Sequence, residues 1–490
     1  MAQMIPLEDY VTRVLEPLSP LEASRLALGD AHGRVLAEDV TAAVPVPPWT
    51  NSAMDGYAVR AEDTTGASPQ TPVVLPVSGD VPAGAAPQPL VAGTTQRIMT
   101  GAMLPEGADA VVKVEDTDQV PGPHPLPDRV EIRAAVRPGL SIRRAGEDLG
   151  AGDPVMAAGT RLSAAAVSAL ASVGLGSVRV AARVRVAVVS TGAELRDAGH
   201  VLKSGTIPDS NSLLLAGLVA EHGAVCASVS RSGDTAEDLA EVLRRTASGA
   251  DLIVTSGGVS AGAFDPLTML AEANRGGDAA VRLDFVKVAM QPGKPQGHGW
   301  VRADDGRRVP IICLPGNPVS VLVSFTTIVA PALARLAGQD TSDSSDGMLP
   351  GRPRPTARAA VAWRTPPGRR QHVPVRFTGP PAHPAAAEAD KHGNHAEGGA
   401  EEHACLPWVT PTHRLGSGSH LVASLPAAQA LAVVAAEVEA VEVGDELPLI
   451  ALSDSLSPSP PVRTVELADG PRGPAVESGG ASATPDSPTH

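Results

Sequence analysis

The chain has 490 residues, a length that predicts several domains. Aromatic residues make up only 2% of it and the formal net charge is −15, which argues against a base-stacking nucleic-acid surface and against general attraction to anionic membranes. The cysteines, Cys226, Cys313 and Cys405, are odd in number and widely spaced, so they predict neither a disulfide framework nor a metal-ligand cluster. No basic segment followed by an apolar one opens the chain, so we expect a cytoplasmic protein.

The first 180 residues predict a helical start followed by small β-rich units. Pro6 to Leu18 carries apolar residues at helical spacing, and Leu21 to Leu28 is expected to continue that helical layer. Val35 to Val46 is strand-like, and prolines then mark a boundary. We therefore expect a helical segment over 1–25, a linker domain formed by 26–47 and 140–180, and an inserted β-rich domain over 48–139. Predicted elements in this part are the strands Val73 to Val77, Thr94 to Met99, Ala110 to Val114 and Val130 to Val136 and the helix Ala164 to Val173.

The next 160 residues predict an α/β domain over 181–340. Three branched apolar runs, Val184 to Thr191, Asp251 to Ser256 and Val309 to Leu314, each end in glycine and hydroxyl residues before a helix start. Such continuous runs are typical of buried parallel strands, and ligands bind beyond the carboxyl ends of such strands. We expect further strands at Val225 to Val229 and Val281 to Val288, and hence a three-layer α/β arrangement. The glycine turns should share one crevice that admits a phosphorylated small molecule.

The last part of the chain predicts a C-terminal β domain over 345–452. The uncharged stretch Leu314 to Ala334 is interrupted by prolines and polar residues, so we expect a buried helix there and no membrane span. Beyond it, short strand candidates continue to Ile450 to Leu452. The compositions of 379–405 and 453–490, rich in small and polar residues, predict disorder.

Three carboxylates follow different strands of the α/β domain. Glu194, Asp234 and Asp265 are expected to converge at one sheet edge, where carboxylate oxygens suit Mg²⁺ shared with substrate phosphates. The alternative is that Asp234 only caps or charges a helix start and that Glu194 is a solvated loop residue. Lys287 and Lys294 flank a loop stiffened by two prolines and are candidates to hold an oxyanion, with an ordinary solvated pair as the alternative.

A second group of polar residues lies far earlier in the chain. Asp55 stands in a run bounded by prolines and glycine, Thr100 ends a predicted strand, and Arg143 and Asp148 lie in a glycine-flanked loop. Each of these is also explained by turn chemistry or a surface ion pair. Seven arginines from Arg352 to Arg376 are interpreted as solvated faces of strands.

Six motifs that occur in order then carry a family resemblance. They are Asn51 to Arg60 (NSAMDGYAVR), Met99 to Gly107 (MTGAMLPEG), Ser190 to Leu195 (STGAEL), Thr255 to Asp265 (TSGGVSAGAFD), Lys287 to Pro295 (KVAMQPGKP) and Leu314 to Ser320 (LPGNPVS). Together they resemble the molybdopterin molybdenumtransferase family, which includes the carboxyl-terminal part of gephyrin. Some relatives have lysine where this chain has Gln291, which leaves one positive charge fewer.

The resemblance implies a homodimer of four-part subunits in which 26–47 and 140–180 contribute to dimerisation. It also implies that molybdate is inserted into adenylylated molybdopterin with release of AMP, in a site that uses a divalent cation, Mg²⁺, and is completed by the partner subunit. The catalytic residues it implies are Asp55, Thr100, Glu194, Asp234, Asp265, Lys287 and Lys294, of which Glu194, Asp234 and Asp265 hold the cation. The binding residues it implies are Arg143, Asp148, Ser190, Thr191, Gly192, Ser256, Gly257, Gly258, Ser260, Gly293, Pro315, Gly316 and Asn317.

Two rival functions stay open at this point. The molybdopterin adenylyltransferase, itself a candidate partner, has a similar α/β domain and Thr-Ser-Gly-Gly turn, but that turn usually continues Thr-Gly, whereas Val259 and Ser260 follow here. The other rival is a scaffold that binds molybdopterin without catalysis. The carboxylates and lysines argue against it, because a scaffold needs no metal-poised anhydride site.

Overall fold

The structure is a computed structural model that describes residues 4–259, 265–274, 279–341, 355–380, 406–413 and 420–452. The predictions for Ser260, for most of 379–405 and for 453–490 lie outside these residues, as does Cys405.

The first part of the chain contains short helices and several small sheets. In chain order its elements are α1 (Leu7–Leu15), β1 (Ala23–Ala27), β2 (Val40–Thr41), β3 (Asn51–Ser52), β4 (Gly56–Val59), β5 (Val73–Val81), β6 (Thr95–Ile98), β7 (Ala110–Lys113), β8 (Arg129–Ile132), β9 (Ile142–Arg143), β10 (Pro154–Met156), α2 (Ala164–Ser172) and β11 (Ser177–Ala181). Strands β7, β4, β6, β5 and β8 form one five-stranded sheet in that order. All four strand predictions for 48–139 fall in this sheet.

One prediction for this part is wrong. Leu21 to Leu28 does not continue the helical layer, because Ala23–Ala27 is a strand that pairs antiparallel with β11, from Ala23 opposite Ala181 to Ala27 opposite Ser177. The distant strand supplies the backbone hydrogen bonds that a helix would have made locally. Leu26 packs beside the core that contains Leu36 and Val180. Of the strand-like stretch Val35 to Val46, only Val40–Thr41 is a strand.

The middle of the chain is the predicted three-layer α/β unit. Its elements are β12 (Arg185–Thr191), β13 (Leu195–Arg196), β14 (Ile207–Pro208), α3 (Asn211–Glu221), β15 (Val225–Ser232), α4 (Ala236–Ala247), β16 (Leu252–Ser256), α5 (Pro266–Ala273), β17 (Val281–Lys287), β18 (Met290–Gln291), β19 (Pro295–Arg302), β20 (Arg308–Leu314), α6 (Pro318–Ser324) and α7 (Ala330–Leu336). The sheet order is β15-β12-β16-β20-β19-β17. The three apolar runs are therefore the adjacent strands β12, β16 and β20, all parallel.

Side chains on alternate positions of β12 enter two separate cores. Val186 and Val188 pack with α1, α3 and the last two helices on one face of the sheet. Ala187 and Val189 pack with α4 and α5 on the other. This alternation is what makes a parallel strand apolar throughout, and it confirms the three-layer arrangement.

The helical stretch Pro318–Leu336 is the core helix predicted for this region. It is long and apolar enough to cross a membrane, but 94% of its apolar window is buried inside the protein. Between α6 and α7 it contains a π-helical turn, Phe325–Val329. The turn directly precedes Pro331, which has no N–H and disturbs regular helical bonding.

The last part of the chain forms a closed barrel. Its elements are β21 (Thr356–Ala359), β22 (Trp363–Arg364), β23 (Arg370–Thr378), β24 (Trp408–Pro411), β25 (Ala430–Val434), β26 (Ala440–Val441) and β27 (Glu446–Ala451). Strands β23, β24, β21, β27 and β25 follow one another, and β25 pairs with β23 to close the ring. Strand β18 also pairs with β23, which joins the loop around Gln291 to the barrel.

Candidate active site

The carboxyl ends of β12, β16 and β20 open into one cavity of about 890 Å³, which we call the strand-end cavity. Its volume lies within the roughly 300 to 1,000 Å³ that is usual for small-molecule sites. The predicted residues that line it are Thr191, Gly192, Glu194, Asp234, Ser256, Gly257, Gly258, Asp265, Gly293, Lys294, Pro315, Gly316 and Asn317. The three glycine turns therefore line one crevice, as predicted.

The glycine turns pack closely against one another, and Gly257 and Gly258 leave no room for a side chain. Gly257 has φ +90°, and a Cβ there would lie 2.8 Å from the Thr191 carbonyl oxygen. A Cβ on Gly258 would lie 2.9 Å from Thr191 Oγ1 and 3.2 Å from Asp265 Oδ1. A Cβ on Gly316 would lie 3.5 Å from Gly257 Cα. Glycine at these positions keeps the cavity open and lets a ligand approach the backbone.

Two of the three carboxylates also have structural roles. Asp234 Oδ1 accepts a hydrogen bond from the Ala193 backbone N–H at 2.8 Å, which ties the end of β15 to the turn after β12. Asp265 is the N-cap of α5, where Oδ1 accepts from the Thr268 N–H at 3.4 Å, and only 7% of its surface is exposed. The cap fixes the Asp265 carboxylate at the cavity wall, whereas the helix after Asp234 is capped by Thr235 and not by Asp234.

The carboxylates fit a cation that is shared with a ligand. Among the residues that the structure describes, no group of three or more His, Cys, Asp or Glu side chains is close enough to hold a metal by itself. Mg²⁺, however, is usually bound by one or two carboxylates together with substrate phosphates. The three carboxylates line the same cavity, so a cation bridging one or two of them to a bound pyrophosphate suits this donor set.

The structure separates the two predicted lysines. Lys294 lines the strand-end cavity. Lys287 is exposed at the end of β17, opposite Pro295, and its carbonyl accepts from the Ile5 N–H at 2.9 Å. It is not among the described residues that line this cavity. Ser190 is buried in β12, where its Oγ accepts from Ser256 Oγ at 3.5 Å, so it lies behind the cavity wall.

Asp55 and Thr100 line a different cavity, of about 470 Å³, which we call the second cavity. The Thr100 backbone N–H and Oγ1 donate to Asp55 Oδ1 at 2.6 and 2.7 Å. These bonds favour the ionised carboxylate and lower the pKa of Asp55, the backbone bond more than the hydroxyl. Within one subunit, then, this pair and the strand-end cavity are separate.

Arg143 and Asp148 line neither cavity. Arg143 lies in β9 opposite Asn51, and the Asp148 backbone N–H donates to the Val46 carbonyl at 3.0 Å. In the same loop Glu147 accepts from the Arg144 N–H at 2.7 Å, which is ordinary turn chemistry. The binding roles of Arg143 and Asp148 stay predictions.

Some residues that line the strand-end cavity are not predicted from the sequence. Asp209 is only 5% exposed, and its Oδ1 accepts from the Ser212 N–H at 3.1 Å. Asn211 Nδ2 donates to the Gly316 carbonyl at 2.6 Å. The sequence Asp-Ser-Asn before an apolar run is a helix-start signal that marks this turn. His420 also lines the cavity, from a part of the chain with no such signal.

Gln291 brings a barrel arginine to the cavity wall. Gln291 lines the strand-end cavity, and its Oε1 accepts from Arg369 Nη1 at 2.7 Å. The interpretation of the barrel arginines as solvated faces is therefore incomplete for Arg369. The pairing of β18 with β23 makes this contact, so it depends on the tertiary structure.

Comparisons with known proteins identify the family. A family model described as MoeA N-terminal region (domain I and II) matches residues 5–174, and one described as probable molybdopterin binding domain matches 187–335. A Mycobacterium tuberculosis protein named molybdopterin molybdenumtransferase 2 is 43% identical over 374 residues, which are 75% of this chain and 86% of that protein. The chain belongs to the molybdopterin molybdenumtransferase family.

Other relatives agree with this assignment. The molybdopterin molybdenumtransferase of Haemophilus influenzae is 35% identical over 339 residues, 69% of this chain and 78% of that protein. A crystal structure titled molybdopterin biosynthesis moea protein, from Pyrococcus horikosii, has a TM-score of 0.67 and 29% identity and covers 92% of this chain and 99% of that one. The family resemblance, the fold class and the transferase assignment predicted from the sequence are confirmed.

Proposed function

We propose that the strand-end cavity binds adenylylated molybdopterin and molybdate, and that the enzyme inserts molybdenum into the molybdopterin with release of AMP. The observation that carries this proposal is the meeting of three glycine turns, three carboxylates and Lys294 in one cavity. Family membership supports the same activity and disfavours the adenylyltransferase and scaffold alternatives.

The cavity residues supply positioning and charge. The glycine turns leave room for the pyrophosphate, and Lys294 offsets its charge or that of molybdate. A divalent cation, which we take to be Mg²⁺, would be held by Glu194, Asp234 or Asp265 together with the pyrophosphate and would polarise the phosphoanhydride. Asp265, fixed as a helix cap, needs no reorganisation to take this role.

No cysteine nucleophile is needed, because the dithiolene sulfurs of the substrate receive the metal. Cys313 lies in the strand that leads to the cavity, but burial raises its pKa to about 12, so it stays a protonated thiol at neutral pH. Arg369, which donates a hydrogen bond to Gln291, adds positive charge behind the barrel side of the cavity wall. Its charge would replace that of the lysine which some relatives have at position 291.

We propose further that the active unit is a homodimer. Asp55 and Thr100 line the second cavity rather than the strand-end cavity of their own subunit. In a two-fold dimer, this edge of one subunit would complete the strand-end cavity of the other. The Thr100 hydrogen bonds lower the pKa of Asp55 and hold its carboxylate in one orientation, which suits a residue that faces a cation or polarised substrate. Roles for Lys287, Arg143, Asp148 and Ser260 in this shared site follow from the family motifs alone.

The enzyme would work in the cytoplasm and take its substrate from a molybdopterin adenylyltransferase. That source is proposed because the substrate is an adenylylated pterin, whose phosphoanhydride is best passed on without exposure to water.

Release of AMP from purified adenylylated molybdopterin tests the proposed activity. We expect release that depends on molybdate and falls by at least about a hundredfold in Asp265→Asn, the usual scale for loss of one preorganised electrostatic group. Asparagine caps helices as well as aspartate does, so the fold should persist. Formation of adenylylated molybdopterin from molybdopterin and ATP by this chain alone would instead favour the adenylyltransferase. Binding without turnover would favour the scaffold.

Mixed dimers test the shared site. Asp55→Asn and Asp265→Asn should each be inactive alone. After subunit exchange, half of the dimers carry one of each variant, and one of their two sites is intact, so about a quarter of wild-type activity should return. Absence of recovery, with exchange verified by mass, would contradict a site that is shared between subunits. That result would not contradict the proposed activity, only the proposed sharing of the site.

A further inference from the structure

A small pocket lies away from both cavities, where the chain passes from β11 into β12. Three arginines line it: Arg34 and Arg161 from the first part of the chain and Arg183 from the connection between these strands. The end of α3, with His222, and one face of α7 form much of its remaining wall. Its lining, all of it within the described residues, contains no aspartate or glutamate. We call it the arginine pocket.

The three arginines share this one pocket and have few partners. Arg34 Nη2 donates to the Ala181 carbonyl at 2.6 Å, which uses one of its five N–H donors. The Arg161 guanidinium lies against Gly223, whose Cβ, if present, would be 2.9 Å from Nη2. Within the described chain, Arg161 and Arg183 make no ion pair and no side-chain hydrogen bond, unlike Arg97, which is paired with Asp80.

The two helix ends do not account for this positive charge. α3 and α7 end in glycines with positive φ, Gly223 at +77° and Gly338 at +81°. The N–H of the next residue closes each end, from Ala224 to the Val219 carbonyl at 3.1 Å and from Gln339 to the Ala334 carbonyl at 2.9 Å. Their last carbonyls are thus satisfied by backbone caps. Each end contributes about half a negative charge, so roughly two positive charges of the three stay uncompensated.

Arg34 stays charged, but its charge is less well stabilised here than in water. Its pKa is lowered, first by burial and then by the charge of Arg183. A bound anion would reverse both effects, because it pairs with the charges and replaces their lost water. The pocket is small, about 40 Å³. That is roughly three times the space that one buried water needs, which suits a four-oxygen anion and is too little for a nucleotide.

We propose that the arginine pocket binds a small tetrahedral oxyanion, the chemistry shared by phosphate, sulfate and molybdate. The anion would bridge Arg34 and Arg161 to Arg183 and so fasten the first part of the chain to the α/β unit. The proposal does not depend on the proposed function, because none of these residues lines the strand-end cavity.

Titration calorimetry of the full chain with each of the three anions tests the proposal. We expect a binding event at the arginine pocket, besides any molybdate binding in the strand-end cavity, that weakens at least about tenfold in Arg161→Gln, as for loss of a charge-assisted hydrogen bond, and less in Arg161→Lys, which keeps the charge. Arg129→Gln is the matched control, since Arg129 is also exposed and makes no ion pair within the described chain. It should not change the affinity. The order of the three affinities identifies the anion that the pocket prefers.

Anomalous diffraction from a tungstate soak locates the site and separates it from the strand-end cavity. We expect a peak between Arg34 and Arg161 in the wild type that is lost in Arg161→Gln, with any peak near Lys294 retained. No peak at the arginine pocket would overturn the proposal. A peak at the pocket would also overturn the proposal if Arg161→Gln left every affinity in solution unchanged. If Arg161→Gln lowered the melting temperature but left binding unaltered, Arg161 would have a purely structural role, and the proposal would be wrong.

Discussion

Gly257→Ala should distort the wall of the strand-end cavity, whereas Gly306→Ala should leave the cavity unchanged. Both glycines have positive φ, +90° and +83°. Around Gly306, in the turn between β19 and β20, no atom lies within 4 Å of a Cβ, so alanine there adds only backbone strain, about 1 to 2 kcal/mol. At Gly257 the same strain is joined by contacts of 2.8 Å to the Thr191 carbonyl and 2.9 Å to Thr191 Oγ1.

The difference between the two variants is the informative quantity. Overpacking against backbone typically costs about 1 to 3 kcal/mol, so Gly257→Ala should lower the free energy of unfolding by about 2 to 5 kcal/mol in all. Because the clash displaces the turn that carries Thr191, molybdate-dependent AMP release should also fall by at least about a hundredfold. Gly306→Ala should keep its activity. Urea unfolding and the AMP assay measure both effects, and equal stability with equal activity in the two variants would refute this account of the turns.

Three further changes test the electrostatics of the protein. Thr100→Val removes one of two hydrogen-bond donors to Asp55, so the pKa of Asp55, measured by NMR titration, should rise. The stability that this bond contributes is present above pH about 4 and is lost as the pH falls through the pKa of Asp55 in the folded protein. An unchanged pKa would refute it. His372 is buried and neither ring nitrogen has a partner in the described chain; burial lowers its pKa to about 3. The native state should therefore lose up to about 1.4 kcal/mol per pH unit below pH 6.5, and His372→Leu should flatten that slope in urea unfolding. Arg369→Gln should raise KM for molybdate more than Arg376→Gln does, because Arg376 is an exposed control on the same part of the barrel. The KM of Arg369→Gln should also depend less on salt, and equal KM values in the two variants would contradict the role of Arg369.

The parts of the fold that were predictable are those with strong local patterns. The runs that became β12, β16 and β20 carry apolar residues at consecutive positions, because both faces of the sheet are covered. The turns after them were recognisable because glycine, hydroxyl residues and helix caps occur together. Since the carboxyl ends of parallel strands meet at one edge, these local patterns also predicted where the cavity lies.

The failures have a common physical cause, which is contact between distant segments. Ala23–Ala27 contains good helix formers but pairs with a strand more than 150 residues later. Arg369 looks like a surface residue until β18 joins β23 and brings it to Gln291. Asp55 and Thr100 line another cavity than Asp265 does, so their place in one site with Asp265 stays a prediction that depends on the proposed homodimer. The sequence motifs predict that these residues act together, and the proposed homodimer would bring them into one site.

A crystal structure of the enzyme soaked with molybdate and AMP tests the central claim most directly. We expect AMP and the oxyanion in the strand-end cavity, with the oxyanion beside Lys294 and within reach of Asp265, and with Asp55 of the second subunit of the proposed dimer at the cavity mouth. Ligands bound at another surface, with this cavity empty at concentrations that saturate the enzyme, would contradict it.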